Sequence, residues 1–248
     1  MKKKGKQAFR KNLLLAINIL TVILLVLICF KEHYPQRIYH RLSGGTLTLQ
    51  EWSYTKNQKY TNLTAGYPLY AEQKNIVMLG NSLTDYIEWT ELLNRPDVAN
   101  RGIGSDVTEG FIAKLTYIIK TKPQICFIEG GVNDLSKNIS QEVIIKNLTS
   151  IIDTLQTNRI RPVLTTVTLV AEQYRNSVEF NRKIKELNKE IIKLAQEKNI
   201  KLIDLNQYVS TESFLIKDYA VNDGIHFTEK TYTIWKREVE KILKEENI

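Results

Sequence analysis

Residues 75–84, Asn-Ile-Val-Met-Leu-Gly-Asn-Ser-Leu-Thr, constrain this chain more than any other stretch. Ile76 to Leu79 is short, uncharged and branched, the pattern of a parallel strand buried on both faces rather than of a surface helix. Gly80 lets the chain turn sharply, so Ser82 is expected at the strand's carboxyl end, where open α/β sheets hold their ligands. A serine hydroxyl is a weak nucleophile at neutral pH and needs a base. The chain has three histidines, and His33 and His40 fall in a polar stretch close to the N-terminus. That leaves His226, in Asp223-Gly-Ile-His226, as the candidate base. Asp223 is near enough for one turn to hold its carboxylate against imidazole Nδ1 while Nε2 faces the serine.

The formal charge of +8 suggests nucleic acid until it is located. Lys2, Lys3, Lys4, Lys6, Arg10 and Lys11 come before any acidic residue, leaving +2 for the rest. No basic binding surface, and so no nucleic-acid partner, is expected. Leu13 to Phe30 is uncharged and would span about 27 Å as a helix, close to the hydrocarbon thickness of a bilayer. It is apolar all round and flanked by charge, which favours membrane insertion over burial in a soluble core. With the lysine-rich start held in the cytoplasm, the expectation is a single-pass protein of the cell membrane whose residues after Lys31 lie outside the cytoplasm. No small-x-small site follows the apolar run, and Leu27-Ile-Cys29 lacks the small residue a lipoprotein signal needs, so an anchor is favoured over cleavage or lipidation. The other cysteine, Cys126, sits in an apolar run and reads as packing, so the fold is expected to rest on its core rather than on disulfides.

The expected organisation is a basic cytoplasmic start over 1–12, a transmembrane anchor over 13–30, a spacer over 31–74 and one domain over 75–248. The spacer is polar and aromatic, with Tyr34, Tyr39, Trp52, Tyr54, Tyr60, Tyr67 and Tyr70 but no sustained period. It is read as partly packed on the domain, with the tyrosines as edge packing or a sugar platform. From Asn75 short apolar runs alternate with helical segments, the mark of βαβ units and a parallel sheet of about five strands. Strand candidates are Ile76–Leu79, Val98–Asn100, Ile125–Glu129, Pro162–Val167 and Lys201–Asp204. Ile144, Ile145, Leu148, Ile151, Ile152 and Leu155 recur at helical spacing, as do Ile184, Leu187, Ile191 and Leu194. A last helix is expected from about Glu229 to Lys244, capped by Thr228.

Four ordered blocks, Gly80-Asn-Ser82-Leu, Asn100-Arg-Gly-Ile-Gly-Ser-Asp106, Gly131-Val-Asn-Asp134 and Asp223-Gly-Ile-His226, resemble those of the SGNH/GDSL hydrolase superfamily. The resemblance runs from about Asn75 to the C-terminus and is strongest to the acetylhydrolase-like and carbohydrate-esterase-like branch. It implies a flavodoxin-like three-layer α/β/α domain and a Ser82, His226, Asp223 triad. It also implies an oxyanion hole made of the Ser82 N–H, an N–H of the second block at Ser105 or Gly104, and the Asn133 side-chain amide. Asp134 is expected to brace its own loop, and Trp89 and Arg101 either line the pocket or pack. The chain departs from the family twice. Asn81 replaces the usual aspartate before the serine and keeps an acceptor oxygen. Ser105 stands where the family has glycine, so its backbone donor survives only if serine adopts the required dihedrals.

No cluster of histidine or cysteine suggests a metal, and no glycine-rich phosphate loop follows the first strand, so cofactor-free chemistry is expected. The resemblance and the anchor together imply an extracytoplasmic serine esterase acting on short acyl esters, acetyl above all, of a carbohydrate. The readings left open are an acyltransferase with a sugar acceptor, a lysophospholipase or thioesterase, and a surface-binding module that has kept the fold.

Overall fold

The computed structural model describes residues 53–70 and 72–248, together with Asn18, Thr21 and Val22. The basic start, the anchor expected over 13–30 apart from those three helical residues, and the spacer as far as Trp52 lie outside the described residues. Among the described residues no helix is long and apolar enough to cross a membrane. The chain divides after Trp52, and the unit Ser53–Ile248 holds the sheet.

That unit begins before Asn75, with a 3-10 turn at Tyr54–Lys56, helix α1 at Gln58–Gly66 and a second turn at Tyr67–Leu69. The Asn57 side chain caps α1 by accepting from the Lys59 and Tyr60 amides. Only Tyr60 of α1 is buried, so the helix carries no apolar stripe that a periodicity search could find. The Tyr60 hydroxyl donates to Gly110 O at 3.0 Å, and Tyr67 packs edge-on against Tyr117. These two spacer tyrosines therefore serve as packing.

Five strands follow: β1 (Ile76–Gly80), β2 (Val98–Gly102), β3 (Ile125–Glu129), β4 (Arg161–Thr165) and β5 (Lys201–Ile203). All are parallel, in the order β2-β1-β3-β4-β5, with Ile76 level with both Val98 and Ile125. The helices are α2 (Ser82–Asp85), α3 (Trp89–Leu92), α4 (Thr108–Ala113), α5 (Leu115–Lys120) and α6 (Val132–Ser136). The longer α7 (Gln141–Thr157) and α8 (Ser177–Glu197), then α9 (Asn206–Val209) and α10 (Glu229–Glu245), complete the set. Strand side chains alternate between two cores. Val77, Leu79, Cys126, Ile128 and Leu164 face α4, α5, α7 and α8. Ile76, Met78, Ile125, Phe127, Val163 and Ile203 face α3, α9 and α10. The fourth strand ends two residues before Val167, whose amide is taken by the Asn188 side chain of α8. Thr228 does precede α10, but its hydroxyl donates to Asp218 O instead of capping the helix.

Strand order reverses between β1 and β3. Loops leaving these two strands diverge to opposite sides and open a crevice at the carboxyl edge, the binding position of such sheets. Gly80 is needed here for close approach rather than for an unusual φ, since a Cβ would lie 2.0 Å from Thr84 Oγ1 and 2.9 Å from Glu129 O.

A lysine lies in the first core. Lys114, between α4 and α5, is fully buried, and its ammonium donates at 2.8 Å to both Asp106 Oδ2 and Arg101 O. Burial depresses the Lys114 pKa and raises that of Asp106, each opposed by the partner's charge. Removing one member of such a pair leaves a buried charge without compensation. Lys114→Met is therefore expected to destabilise the protein by about 3–5 kcal/mol in urea unfolding, and Asp106→Asn in the same chain to recover a large part of that loss.

Candidate active site

Ser82 is the first residue of α2, directly beyond β1. Asn81 caps this short helix, its Oδ1 accepting from the Leu83 amide at 2.8 Å. From the core that Leu83 itself joins, the Tyr232 hydroxyl of α10 donates to Leu83 O at 2.9 Å and ties the turn down. Trp89 is fully buried, donates to Thr84 O and packs edge-on against Trp235, so it belongs to the core and not to a pocket.

His226 arrives on the loop before α10. Asp223 Oδ1 accepts from the Ile225 and His226 amides at 2.9 and 3.0 Å, a local turn that Gly224 completes with φ +78°. Asp223 Oδ2 lies 2.6 Å from His226 Nδ1, and His226 Nε2 lies 2.9 Å from Ser82 Oγ. Burial pushes the Asp223 carboxyl up, but hydrogen bonds from the His226 ring and the two amides outweigh it and hold the carboxyl below its ordinary range. An ionised carboxylate only accepts, so Nδ1 carries a proton, and in the neutral ring Nε2 is the nitrogen left to accept from the serine hydroxyl. The half-exposed Tyr86 ring stacks on the imidazole, with centroids 5.0 Å apart and planes at 26°. The structure thus brings Ser82, His226 and Asp223 into one hydrogen-bonded line, and sequence reading overlooked Tyr86.

The second and third blocks meet the same crevice. The Gly104 N–H donates to Asp85 Oδ2 at 2.8 Å and is occupied. Ser105 adopts φ +63°, the left-handed conformation glycine favours, and among the described residues its N–H has no acceptor. The same holds for the Ser82 N–H at the start of α2. Asn133 is the second residue of α6, beyond Gly131 with φ +118°, and one of its amide hydrogens donates to Asp106 O at 2.9 Å. The second hydrogen has no acceptor among the described residues. Asp134 does not confine itself to its own loop. It reaches α4 and accepts from the Thr108 hydroxyl at 2.6 Å and the Thr108 amide at 3.1 Å, binding the third block to the helix that follows the second. Burial pushes its carboxyl up to about 6 against those hydrogen bonds. Arg101 is buried under Tyr67 and Tyr70, with its guanidinium 4.8 Å from the Tyr67 ring centroid, and packs. Among the described residues no group of three or more His, Cys, Asp or Glu side chains could hold a metal ion.

Glu129 explains the asparagine at position 81. It ends β3, is 3% exposed, and accepts from Asn81 Nδ2 at 3.3 Å through Oε1, while Oε2 has no partner among the described residues. Burial raises its carboxyl to about 7, against the hydrogen bonds from Asn81. An aspartate at 81 would replace the amide donor with a second carboxylate, so the amide is the residue that this buried acid tolerates. The sequence signal was a charged residue closing the otherwise apolar run Ile125-Cys-Phe-Ile-Glu129.

A parallel five-stranded α/β sheet with a serine, a histidine and an aspartate aligned at its switch point defines an SGNH-type hydrolase. The chain belongs to the GDSL-like lipase/acylhydrolase family, whose pattern matches residues 63–234. A GDSL-like lipase from Bacteroides thetaiotaomicron has the same fold, at TM-score 0.67 and 23% identity over 75% of this chain and 97% of that one. So does an acetyl-xylooligosaccharide esterase from Geobacillus, at TM-score 0.57 and 16% identity over 69% and 94% of the two chains. Among curated proteins, an N-acylneuraminate cytidylyltransferase of Streptococcus agalactiae serotype V is 31% identical over 104 residues, 42% of this chain and 24% of that protein. The chain spans between about a quarter and somewhat over a third of the length of the curated relatives it matches.

The acid at 129 has a measurable consequence. Its folded pKa of about 7 stands above the ordinary 4.5, so the folded state keeps a proton that the unfolded chain has released. That contribution to stability is complete below the unfolded value and is lost as pH rises through about 7. Glu129→Gln, which keeps the acceptor for Asn81, is expected to reduce the fall in thermal midpoint between pH 5 and pH 8. Unchanged pH dependence in scanning calorimetry would show that Glu129 is not the titrating group.

Proposed function

We propose that this protein is a membrane-anchored, extracytoplasmic serine esterase that removes acetyl or similarly short acyl groups from a carbohydrate. The observation that carries the reading is the unbroken sequence of hydrogen bonds from Ser82 Oγ through His226 to Asp223. Ser82 Oγ attacks the ester carbonyl carbon and its proton passes to Nε2. Asp223 holds the ring in the required tautomer and stabilises the imidazolium, and the stacked Tyr86 ring offers that cation a π-face. The carbonyl oxygen becomes an oxyanion facing the Ser82 N–H, the Ser105 N–H and the second amide hydrogen of Asn133. Collapse expels the alcohol, which takes the proton from Nε2 and leaves Ser82 acylated. Water then attacks the acyl carbon with His226 as base, and the carboxylic acid departs.

Support for an acetylated sugar comes from the fold shared with an acetyl-xylooligosaccharide esterase. Support for the anchor comes from the uncharged stretch 13–30 behind a basic start.

The test is hydrolysis of nitrophenyl acetate, octanoate and palmitate by the full chain in detergent. Acetate is expected to turn over fastest, and Ser82→Ala to bring the rate to background. Asn133→Ala is expected to cost ~10²–10³ in kcat with KM little changed. A rate rising with acyl length would replace the acetyl reading with a lipid substrate. Turnover that survives Ser82→Ala would remove the proposed nucleophile.

A further inference from the structure

We infer that Asn57 and Lys59, at the start of α1, are positioning residues that aim the Ser105 N–H at the reacting oxygen. The inference rests on the reading of Ser105 as an oxyanion donor and adds the part that holds it.

Both ends of Gly104 are secured. Its N–H donates to Asp85 Oδ2, and its carbonyl accepts from Asn57 Nδ2 at 2.8 Å. The Lys59 ammonium bonds the same Asp85 Oδ2 and neutralises it. Asp85 belongs to α2, the helix that begins with Ser82, so Lys59 links α1 to the element that carries the nucleophile.

The carbonyl of Gly104 and the N–H of Ser105 are the two ends of one peptide unit. A planar trans peptide points them in opposite directions, so a hydrogen bond that fixes the carbonyl fixes the direction of the amide. This matters more in the present chain than it would with glycine at 105. Ser105 holds φ +63°, a conformation that is unfavourable for a non-glycine residue, so neighbouring contacts must maintain it. The Asn57 hydrogen bond acts on the very peptide that the strained residue follows. Residues 57 and 59 precede the span 63–234 that matches the family, while the Gly104 and Asp85 they hold lie within it.

Asn57 has two tasks that a single substitution separates. Its Oδ1 caps α1, and its Nδ2 holds Gly104. Asn57→Asp retains an N-cap acceptor of equal quality and replaces the donor to Gly104 by a carboxylate oxygen. An oxyanion donor is worth ~10²–10³ in turnover, and a donor present but misdirected forfeits part of that. With the full chain and nitrophenyl acetate, Asn57→Asp is expected to lower kcat per folded molecule about tenfold, with KM within about twofold and the thermal midpoint unchanged. Lys59→Met is expected to lower kcat in the same sense, and Lys59→Arg to restore most of it. In an Asn133→Ala background the cost of Asn57→Asp is expected to change, because both residues then act on one oxyanion.

Wild-type kcat per folded molecule in both Asn57→Asp and Lys59→Met, with turnover still abolished by Ser82→Ala, would overturn the clamp and leave the esterase reading intact. A fall in activity matched by an equal fall in folded fraction would reduce Asn57 to a helix cap and overturn it equally. Absence of any Ser82-dependent turnover in the wild type would remove the esterase reading, and the clamp with it.

Discussion

The reversal of strand order between β1 and β3 is the constraint on which the rest of the structure depends. A parallel sheet needs a helix-bearing crossover after each strand. Crossovers leaving β1 and β3 go to opposite sides, so the carboxyl ends of these two strands are not roofed over. Ser82 leaves one of them and Asn133 the other. The contact is close because position 80 has no side chain, which lets the Thr84 hydroxyl and the Glu129 carbonyl come up against the β1 backbone. A Cβ there would push the serine turn away from the neighbouring strand.

Beneath the open crevice lies an unusual amount of buried charge. Glu129 supports Asn81, Asp134 supports Thr108, and Lys114 joins Asp106 to the β2 backbone. Each pairing ties together segments that are separated along the chain. Such groups add little net stability when satisfied and cost a great deal when one partner is missing. Their effect is selective: alternative loop arrangements would strand a carboxylate or an ammonium in the core. The Oε2 of Glu129 has no partner among the described residues, as is also true of the buried Arg101 Nε, and at Glu129 the acid is pushed toward its neutral form.

Much of this was readable in the chain itself. Buried parallel strands appear as short apolar runs, so all five were located within a residue or two at each end. The long amphipathic helices α7 and α8 announced themselves by their spacing. Ser82, Asp223, His226 and Asn133 were legible because each sits in a compact local motif next to a strand end or helix start. Helix α1 was not, because it buries one tyrosine and presents no apolar face. Lys114, Glu129 and Asn57 were not either, because each acquires its meaning from a residue far along the chain. Asp134 shows the limit within a single motif: its position was clear, but its partner on α4 was not.

The sequence by itself determined which strands form, which residues stand at their ends, and that serine, histidine and aspartate were available in motifs able to approach one another. Those are local properties, set by apolar period, glycine and the short reach of one turn. Only the tertiary structure decided that the Gly104 amide is consumed by Asp85 while the Ser105 amide is left over among the described residues, and that Asn57, the cap of a helix that starts ahead of the matched family span, holds the peptide between them. The physical reason is that every backbone amide is chemically the same donor. What distinguishes one from the next is which acceptor the fold has already brought to it.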